Sequence, residues 1–450
     1  MKGEEKALTI AVAAVEKAIA AGAAEADAFL ASTSSLDLEV HEGEVESLRR
    51  ATSRGLGLRV TREGKTALVH TTDLTPASLE DLAAKAVEMA GALPPSSDPV
   101  LRALARAIEP LPHSDPGLAA EPFGKKRDRL VEIERAILAV PDVARAASVS
   151  YSEQVGEVAI ANSRGLQLAR PLCNLSIYAE AIAERGGETT TGGRYASVSS
   201  RSALPDPTPF GLEAGERATA LLGARPIPST KAPVIFTPYT GWTFLSRLTP
   251  ALRGDHVALE RSYLAGKLGE ELAAPAVTIR DNPLLTEGPG ARAFDAEGTP
   301  TGNQPLIENG KLAAYLTDLA SAEKLGLPPG GNATRDAYDA SIEIGTSNYY
   351  MDAGSATPAE IIRETERGLL LMVLSGWWVG MSPATDTFSS AAMGLWIENG
   401  EVVHPVRGIT IGSTLREMLA AIDRIGNDLE HRARTTTPTF RVAEMAISGT

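Results

Sequence analysis

Between Glu25 and His70 apolar and polar positions alternate, most clearly at Leu36, Leu38 and Val40. A period of two is that of a half-buried strand. Glu42-Gly43 predicts a turn, and 45–50 returns. The segment 55–60 (Gly-Leu-Gly-Leu-Arg-Val) reads as a third strand, which Glu63-Gly64 turns into 67–70. Before this meander the period changes: Leu8, Val12, Val15 and Ile19 fall on one face of a predicted helix over 4–21. After it, Thr75 as N-cap and Pro76 in the first turn open a helix that runs to about Ala90. The Pro-rich stretch Pro94 to Pro122 predicts a surface connection, and Lys125 to Val140 a helix. Strands resume from Val143 to about Ser199, with turns at Gly156, Arg164-Gly165 and Gly186-Gly187. Ser53-Arg-Gly-Leu56 and Ser163-Arg-Gly-Leu166 read as two similar turns entering strands.

A helix over Pro209 to Leu222 leads into Ala224-Arg-Pro-Ile-Pro-Ser-Thr-Lys231, whose prolines and small polar residues mark a domain boundary. Beyond it, Val234-Ile-Phe236 predicts a buried strand and Trp242 to Leu252 a helix. Ile307-Glu-Asn-Gly310 and Ile397-Glu-Asn-Gly400 place Asn-Gly between apolar runs, the signal for a type I′ hairpin. Thr357 to Gly368, with Pro358 at its start, and Leu415 to Gly426 read as helices. The second half is therefore mainly β.

With 450 residues the chain suffices for two large domains or three small ones. Lys and Arg number 43 against 57 Asp and Glu, and the net charge of −14 disfavours nucleic acid and anionic membranes, both of which need clustered cations. The longest apolar stretch, Gly368 to Met381, is too short to span a bilayer. Glu16-Lys17 interrupts the N-terminal apolar run, unlike a secretory signal, so the chain reads as cytoplasmic. Cys173 is alone, which precludes an internal disulfide, and it reads as a small buried hydrophobe.

Candidate chemistry is sparse. Gly64-Lys65-Thr66 lacks the earlier glycine of a phosphate-binding loop, and Gly55 and Gly57 lack the third glycine of a dinucleotide fingerprint. No Gly-x-Ser-x-Gly elbow occurs. His41, His70, His113, His256, His404 and His431 form no pair at metal-ligand spacing, and one thiol cannot hold a structural zinc. Asp281 and Asp386 read as solvated surface acids. In Ser375-Gly-Trp-Trp-Val-Gly380, adjacent Trp377 and Trp378 would face opposite ways on a strand, one toward a core and one toward a groove or interface.

Several stretches resemble the TldD/PmbA family, and within it the PmbA (TldE) branch. They are Arg54-Gly-Leu-Gly-Leu-Arg59, Arg261-Ser-Tyr-Leu-Ala-Gly-Lys-Leu-Gly269, Phe294-Asp-Ala-Glu-Gly298, Leu306-Ile-Glu-Asn-Gly310, Tyr315-Leu316 with Lys324-Leu-Gly-Leu327, Gly394-Leu-Trp-Ile-Glu-Asn-Gly400 and Arg424-Ile-Gly-Asn-Asp-Leu429. The likeness covers nearly the whole chain. It implies a metallopeptidase family whose TldD branch binds zinc through His-Glu-x-x-x-His on a helix plus a Cys near the C-terminus. Here the equivalent stretches read Thr237-Pro-Tyr-Thr-Gly-Trp-Thr243, without His or Glu, and Arg432-Ala-Arg-Thr-Thr-Thr-Pro438, without a thiol. The expected site therefore contains no catalytic residue, no metal ligand and no cofactor contact in this chain.

These readings predict an α+β protein. An N-terminal α+β domain (1–223) and a linker (224–231) precede a β-rich, barrel-like C-terminal domain (232–450). The resemblance implies a zinc-ligand-lacking, non-catalytic subunit of a cytoplasmic TldD/TldE-like metallopeptidase that trims unfolded or modified peptides. Zinc would sit in a TldD-type partner of a heterodimer. Alternatives are a stand-alone peptide-binding homodimer, and an enzyme with relocated chemistry on a peptide or small metabolite, marked by perturbed carboxylates in a closed pocket. Trp377, Trp378 and Trp242 are the candidate interface or cavity residues.

Overall fold

The computed structural model describes the chain except residues 1, 96–100, 102, 104–107, 110, 112–114, 116 and 119 and the side chains of residues 2 and 3. Much of the Pro-rich connection between Pro94 and Pro122, and His113 within it, thus lies outside the described residues.

The first sheet is antiparallel throughout, in the order β3-β2-β1-β4-β5-β6. Its strands are β1 (Glu25–His41), β2 (Glu44–Arg62), β3 (Lys65–Thr71), β4 (Val143–Asn162), β5 (Gln167–Arg185) and β6 (Glu188–Val198). Leu36, Leu38 and Val40 are all buried, as their alternation predicts. At the two tight turns of β1–β3, Glu42-Gly43 and Glu63-Gly64 all have positive φ, the I′ geometry that suits the twist of paired strands. The second and third predicted strands are in fact one, since β2 pairs with β1 from end to end. Gly55 and Gly57 lie within it because a later loop rests on its backbone. A Cβ at Gly55 would meet the Tyr338 ring at 2.5 Å, and one at Gly57 would meet the Tyr338 carbonyl oxygen at 1.9 Å. Consequently the Ser53–Leu56 motif is mid-strand, and only Ser163–Leu166 occupies a turn. Gly156 is likewise no turn but lies within β4, where a Cβ would strike the Ser32 carbonyl oxygen at 2.0 Å.

Helices α1 (Lys2–Ala20) and α2 (Pro76–Ala92) cover one half of this sheet, and α3 (Phe123–Leu138) and α4 (Pro207–Thr219) the other. Thr75 caps α2 by accepting from Ser78 N–H. The face of α1 that seats on the sheet is Ala7, Ala11, Ala14 and Ala18, all with no exposed surface, together with Val15. The predicted stripe is rotated from it: Leu8 and Val12 are half-buried and Ile19 is 40% exposed. Alanine lets the helix backbone approach the strands closely, which a leucine stripe would prevent.

The C-terminal region holds a closed barrel. Strands β7 (Thr230–Phe236), β14 (Arg367–Ser375), β15 (Thr387–Glu398), β16 (Glu401–Thr414) and β19 (Phe440–Ser448) succeed one another around it, and β16 pairs back to β19. Only β7–β14 is a parallel pair in this barrel. Strand β17 (Ile422–Ile425) adds to the outside of β19. A second, smaller sheet runs β10-β9-β8-β13-β18, from Lys311–Leu312, Gln304–Glu308, Ile279–Asp281, Tyr349–Met351 and Thr435–Thr436. Strands β11 (Ala333–Thr334) and β12 (Glu343–Ile344) form a short ladder beside it. The region's helices are α5 (Pro238–Leu252), α6 (Gly254–Ala258), α7 (Leu319–Leu325), α8 (Pro358–Arg363) and α9 (Leu415–Ala420). Both Asn-Gly turns form as predicted, with positive φ at Asn309, Gly310, Asn399 and Gly400. The helices predicted over 357–368 and 415–426 stop early. Their last residues enter β14 and β17, because strand pairing satisfies those backbone groups where a further helical turn would leave the sheet edges open.

Phe236 and Phe440 stack with ring centroids 4.9 Å apart in the barrel core, Phe388 meets Phe236 edge-on, and Phe244 of α5 packs on both Phe236 and Phe440. Helix α5 thus packs against these rings through Phe244, and the stacked side chains make this a packed core and not a channel.

Candidate functional site

Helix α5 follows directly on β7, where Thr237 N–H donates to Thr240 Oγ1 at 3.1 Å and Pro238 fills the first turn. Its first turns face a pocket of about 310 Å³. The opposite walls are Arg194 and Tyr195 from β6 and the segment from Glu430 to Thr437. The two stretches singled out in the sequence, 237–243 and 432–438, therefore meet in one place, although some 190 positions separate them. The edge of the first sheet closes the site: Ser197 N–H donates to the Arg432 carbonyl oxygen at 2.7 Å.

Charge dominates the pocket's inner end. Arg194 pairs with Glu213 of α4 and with Glu430 at 3.2 Å. The Tyr239 hydroxyl accepts from Arg194 Nη1 and donates to Glu213. Arg217 of α4 lies flat over the Tyr239 ring, 3.5 Å from its centroid, and its Nε is buried without a partner. Burial pushes the Arg217 guanidinium down to about 10, with Tyr239 opposing and Arg194 adding to the shift. Burial likewise raises the Tyr239 phenol. Thr437 Oγ1, also without a hydrogen-bond partner, is pressed against Gly241 of α5.

A divalent cation does not fit these donors. Arg194, Arg217 and Arg432 surround the pocket with positive charge, and the two acids present are already engaged by Arg194. His431 does not join them. It stacks edge-on with Tyr350 at 4.7 Å, and burial lowers its pKa. Among the described residues no three His, Cys, Asp or Glu side chains come together as a metal-binding group. Cys173 is buried in the first sheet, and burial raises its thiol.

The tryptophans singled out in the sequence do come together. Trp242 lines the pocket and meets Trp377 edge-on at 5.1 Å, and Trp377 meets Trp378 edge-on at 5.9 Å. Their backbone differs from the expectation. Trp377 and Trp378 stand in a turn beyond the end of β14, between Gly376 and Gly380, which both have φ of +69°. Glycine at both positions lets the chain reverse where a strand would have continued. Arg247, buried on α5, holds the turn by donating from Nη1 to the Trp377 and Val379 carbonyl oxygens, both at 3.0 Å. Trp378 is 59% exposed and Val379 68%, so the turn offers an apolar tip beside the pocket mouth.

The perturbed carboxylates lie elsewhere. Asp281 is buried, contrary to its reading as a surface acid. It accepts from Ser347 N–H at 2.6 Å, Ser347 Oγ at 2.8 Å and Asn332 Nδ2 at 3.1 Å. Asp386 pairs with Arg416 at 2.5 Å. Burial raises Asp295 to about 6 and Glu297 to about 8. Both Asp295 oxygens accept from the backbone N–H groups of Glu297, Thr299 and Ala333, and Glu297 Oε2 accepts from Leu319 N–H, so these bonds hold the local backbone.

Models of the PmbA/TldA metallopeptidase match the chain in three pieces: domain 1 over residues 26–90, the central domain over 117–222 and the C-terminal domain over 229–449. The metalloprotease PmbA of Escherichia coli O157:H7 is 26% identical over 94% of this chain and 92% of its own length. A metalloprotease TldD homologue of Haemophilus influenzae is 28% identical over 84% of this chain and 80% of its own length. Among solved structures, a protein of Thermotoga maritima described as a candidate modulator of a DNA gyrase superposes with a TM-score of 0.88 at 25% identity, over 98% of this chain and 99% of the other. TldE from Thermococcus kodakarensis shares the fold with a TM-score of 0.84 at 21% identity, over 97% and 99% of the two chains.

Proposed function

Because the chain belongs to the PmbA/TldD metallopeptidase family, on its PmbA/TldE side, we propose that it is a non-catalytic subunit of a cytoplasmic TldD/TldE-like metallopeptidase that trims unfolded or modified peptides. Zinc is held by a TldD-type partner in a heterodimer. The observation that carries this reading is the pocket of α5. Where the resemblance calls for metal ligands, this chain places Tyr239, Trp242 and Thr437 amid Arg194, Arg217 and Arg432. A catalytic zinc needs three protein ligands and an open position. Guanidinium groups at the same place repel the ion. The tip of Trp378 and Val379 is the surface we assign to the partner, since exposed Trp is enriched where subunits meet.

The test is co-purification from the native cell with metal analysis of each subunit. The expected result is a second, TldD-type chain that carries the zinc, while this chain alone holds none and cleaves no unfolded peptide. Tightly held zinc in this chain, with cleavage lost on chelation, overturns the proposal.

A further inference from the structure

A second cavity has walls that do not balance their own charge. It lies where β5 meets segment 291–294 of the C-terminal region, has a volume of about 130 Å³, and is lined among others by Leu168, Arg170, Pro171, Arg292 and Phe294. Arg170 reaches it from β5. Arg292, only 7% exposed, reaches it from the loop between β8 and β9. Arg170 Nε and Arg292 Nε and Nη2 are buried with no hydrogen-bond partner. Among the described residues neither side chain has an ion-pair partner. Glu4 also touches the cavity and has an interaction of its own.

Arg292 is buried and Arg170 partly so, and three of their nitrogens lack acceptors. Phe294, 5.9 Å under the Arg170 guanidinium, offers its ring face but no acceptor atom, so the pair remains costly. Burial pushes the Arg170 guanidinium down to about 10, and Arg292 and Arg434 add to the shift. Burial also lowers Arg292, against the attraction of Asp281 and Asp295. Those two carboxylates are spent on Ser347, Asn332 and backbone N–H groups, so they relieve Arg292 only through space. Water in the cavity would supply acceptors and leave the repulsion in place. An anion removes both defects.

We propose that this cavity binds a small oxyanion, a carboxylate or a phosphate group, clamped between Arg170 and Arg292. Guanidinium forks match the paired oxygens of either group. At about 130 Å³ the cavity has room for such a head group. Leu168, Pro171 and Phe294 exclude solvent around the ion and so strengthen each contact. One arginine belongs to the first sheet and the other to the C-terminal region, so the bound anion would brace the joint between them.

Thermal unfolding of the intact chain, at constant ionic strength in chloride, tests this with inorganic phosphate in one arm and acetate in the other. The expected result is a saturable rise in the midpoint with at least one anion; which one responds identifies the source. Arg170→Gln should weaken that response about tenfold or more. It should not lower the midpoint in chloride, since it removes a repulsion. Arg432→Gln, in the pocket of α5, should keep the full response. No saturable shift with either anion, or an equal shift in Arg170→Gln, overturns the proposal. Arg170 is only partly buried, so Arg170→Gln should fold and keep the test readable.

Discussion

Against the first sheet the packing residue is alanine; inside the barrel it is phenylalanine. Ala7, Ala11, Ala14 and Ala18 of α1 and Ala83, Ala86 and Ala90 of α2 all vanish against the strands. In the barrel Phe236, Phe388 and Phe440 interlock, and Phe244 joins them from α5. Topology divides in the same way. The sheet joins mostly neighbouring strands through tight turns, whereas the barrel needs the parallel pair β7–β14, more than 130 residues apart, and the closure of β16 on β19. Close backbone approach holds the first region together and large-ring complementarity the second. They should therefore fail in opposite ways, by overpacking in one and by cavity formation in the other.

Phe236→Ala is expected to have the largest effect, about 3–5 kcal/mol of lost stability by chemical denaturation, because three rings lose their common neighbour. Ala11→Leu should cost about 1–3 kcal/mol, since no space separates α1 from the strands. If Ala11→Leu proved neutral while Phe236→Ala remained severe, the close-approach account of the first region would fail. Glu297 lies at the joint between the two regions, its Oε2 accepting from Leu319 N–H at 2.8 Å. Its folded pKa is raised from 4.5 to about 8, so the fold prefers the protonated acid. This group's contribution to stability therefore falls as pH rises from about 4.5 to about 8 and levels off above that. Glu297→Gln keeps an acceptor for Leu319. It should flatten that part of the pH–stability curve and leave the variant at least as stable as the parent at pH 8, by thermal unfolding across pH. The smallest effect on folding is expected for Trp378→Ala, within about 0.5 kcal/mol, because the ring is mostly exposed. Light scattering should nonetheless show weaker association with the proposed partner. Unchanged assembly would remove the tip from the interface.

Local signals in the chain were legible where a few consecutive residues decide the backbone. Asn309-Gly310, Asn399-Gly400, Glu42-Gly43 and Glu63-Gly64 turn because φ > 0 is needed there, and Thr75 caps α2 wherever that helix packs. Trp242, Trp377 and Trp378 were found by their rarity and do cluster, yet their expected strand is a turn set by two glycines and held by Arg247. Arg194, Glu213, Arg217 and Tyr239 gave no signal, as each is an ordinary charged or aromatic position and they come from three separate elements, β6, α4 and α5. Nor did Arg170 and Arg292, 122 positions apart.

By itself the sequence determined the turns, the caps, the strand-rich character of both halves and the absence of His, Glu and Cys from 237–243 and 432–438. These depend on backbone preferences and residue chemistry within a few positions. Only the tertiary structure decided that β2 runs unbroken through Gly55 and Gly57, that α1 seats by alanine, and that Arg170 and Arg292 meet at a cavity away from the pocket of α5. Each of these depends on what another part of the chain brings within a few ångströms: the ring of Tyr338, the strands under α1, a guanidinium from a distant loop. Propensity and periodicity along one segment carry no information about such neighbours.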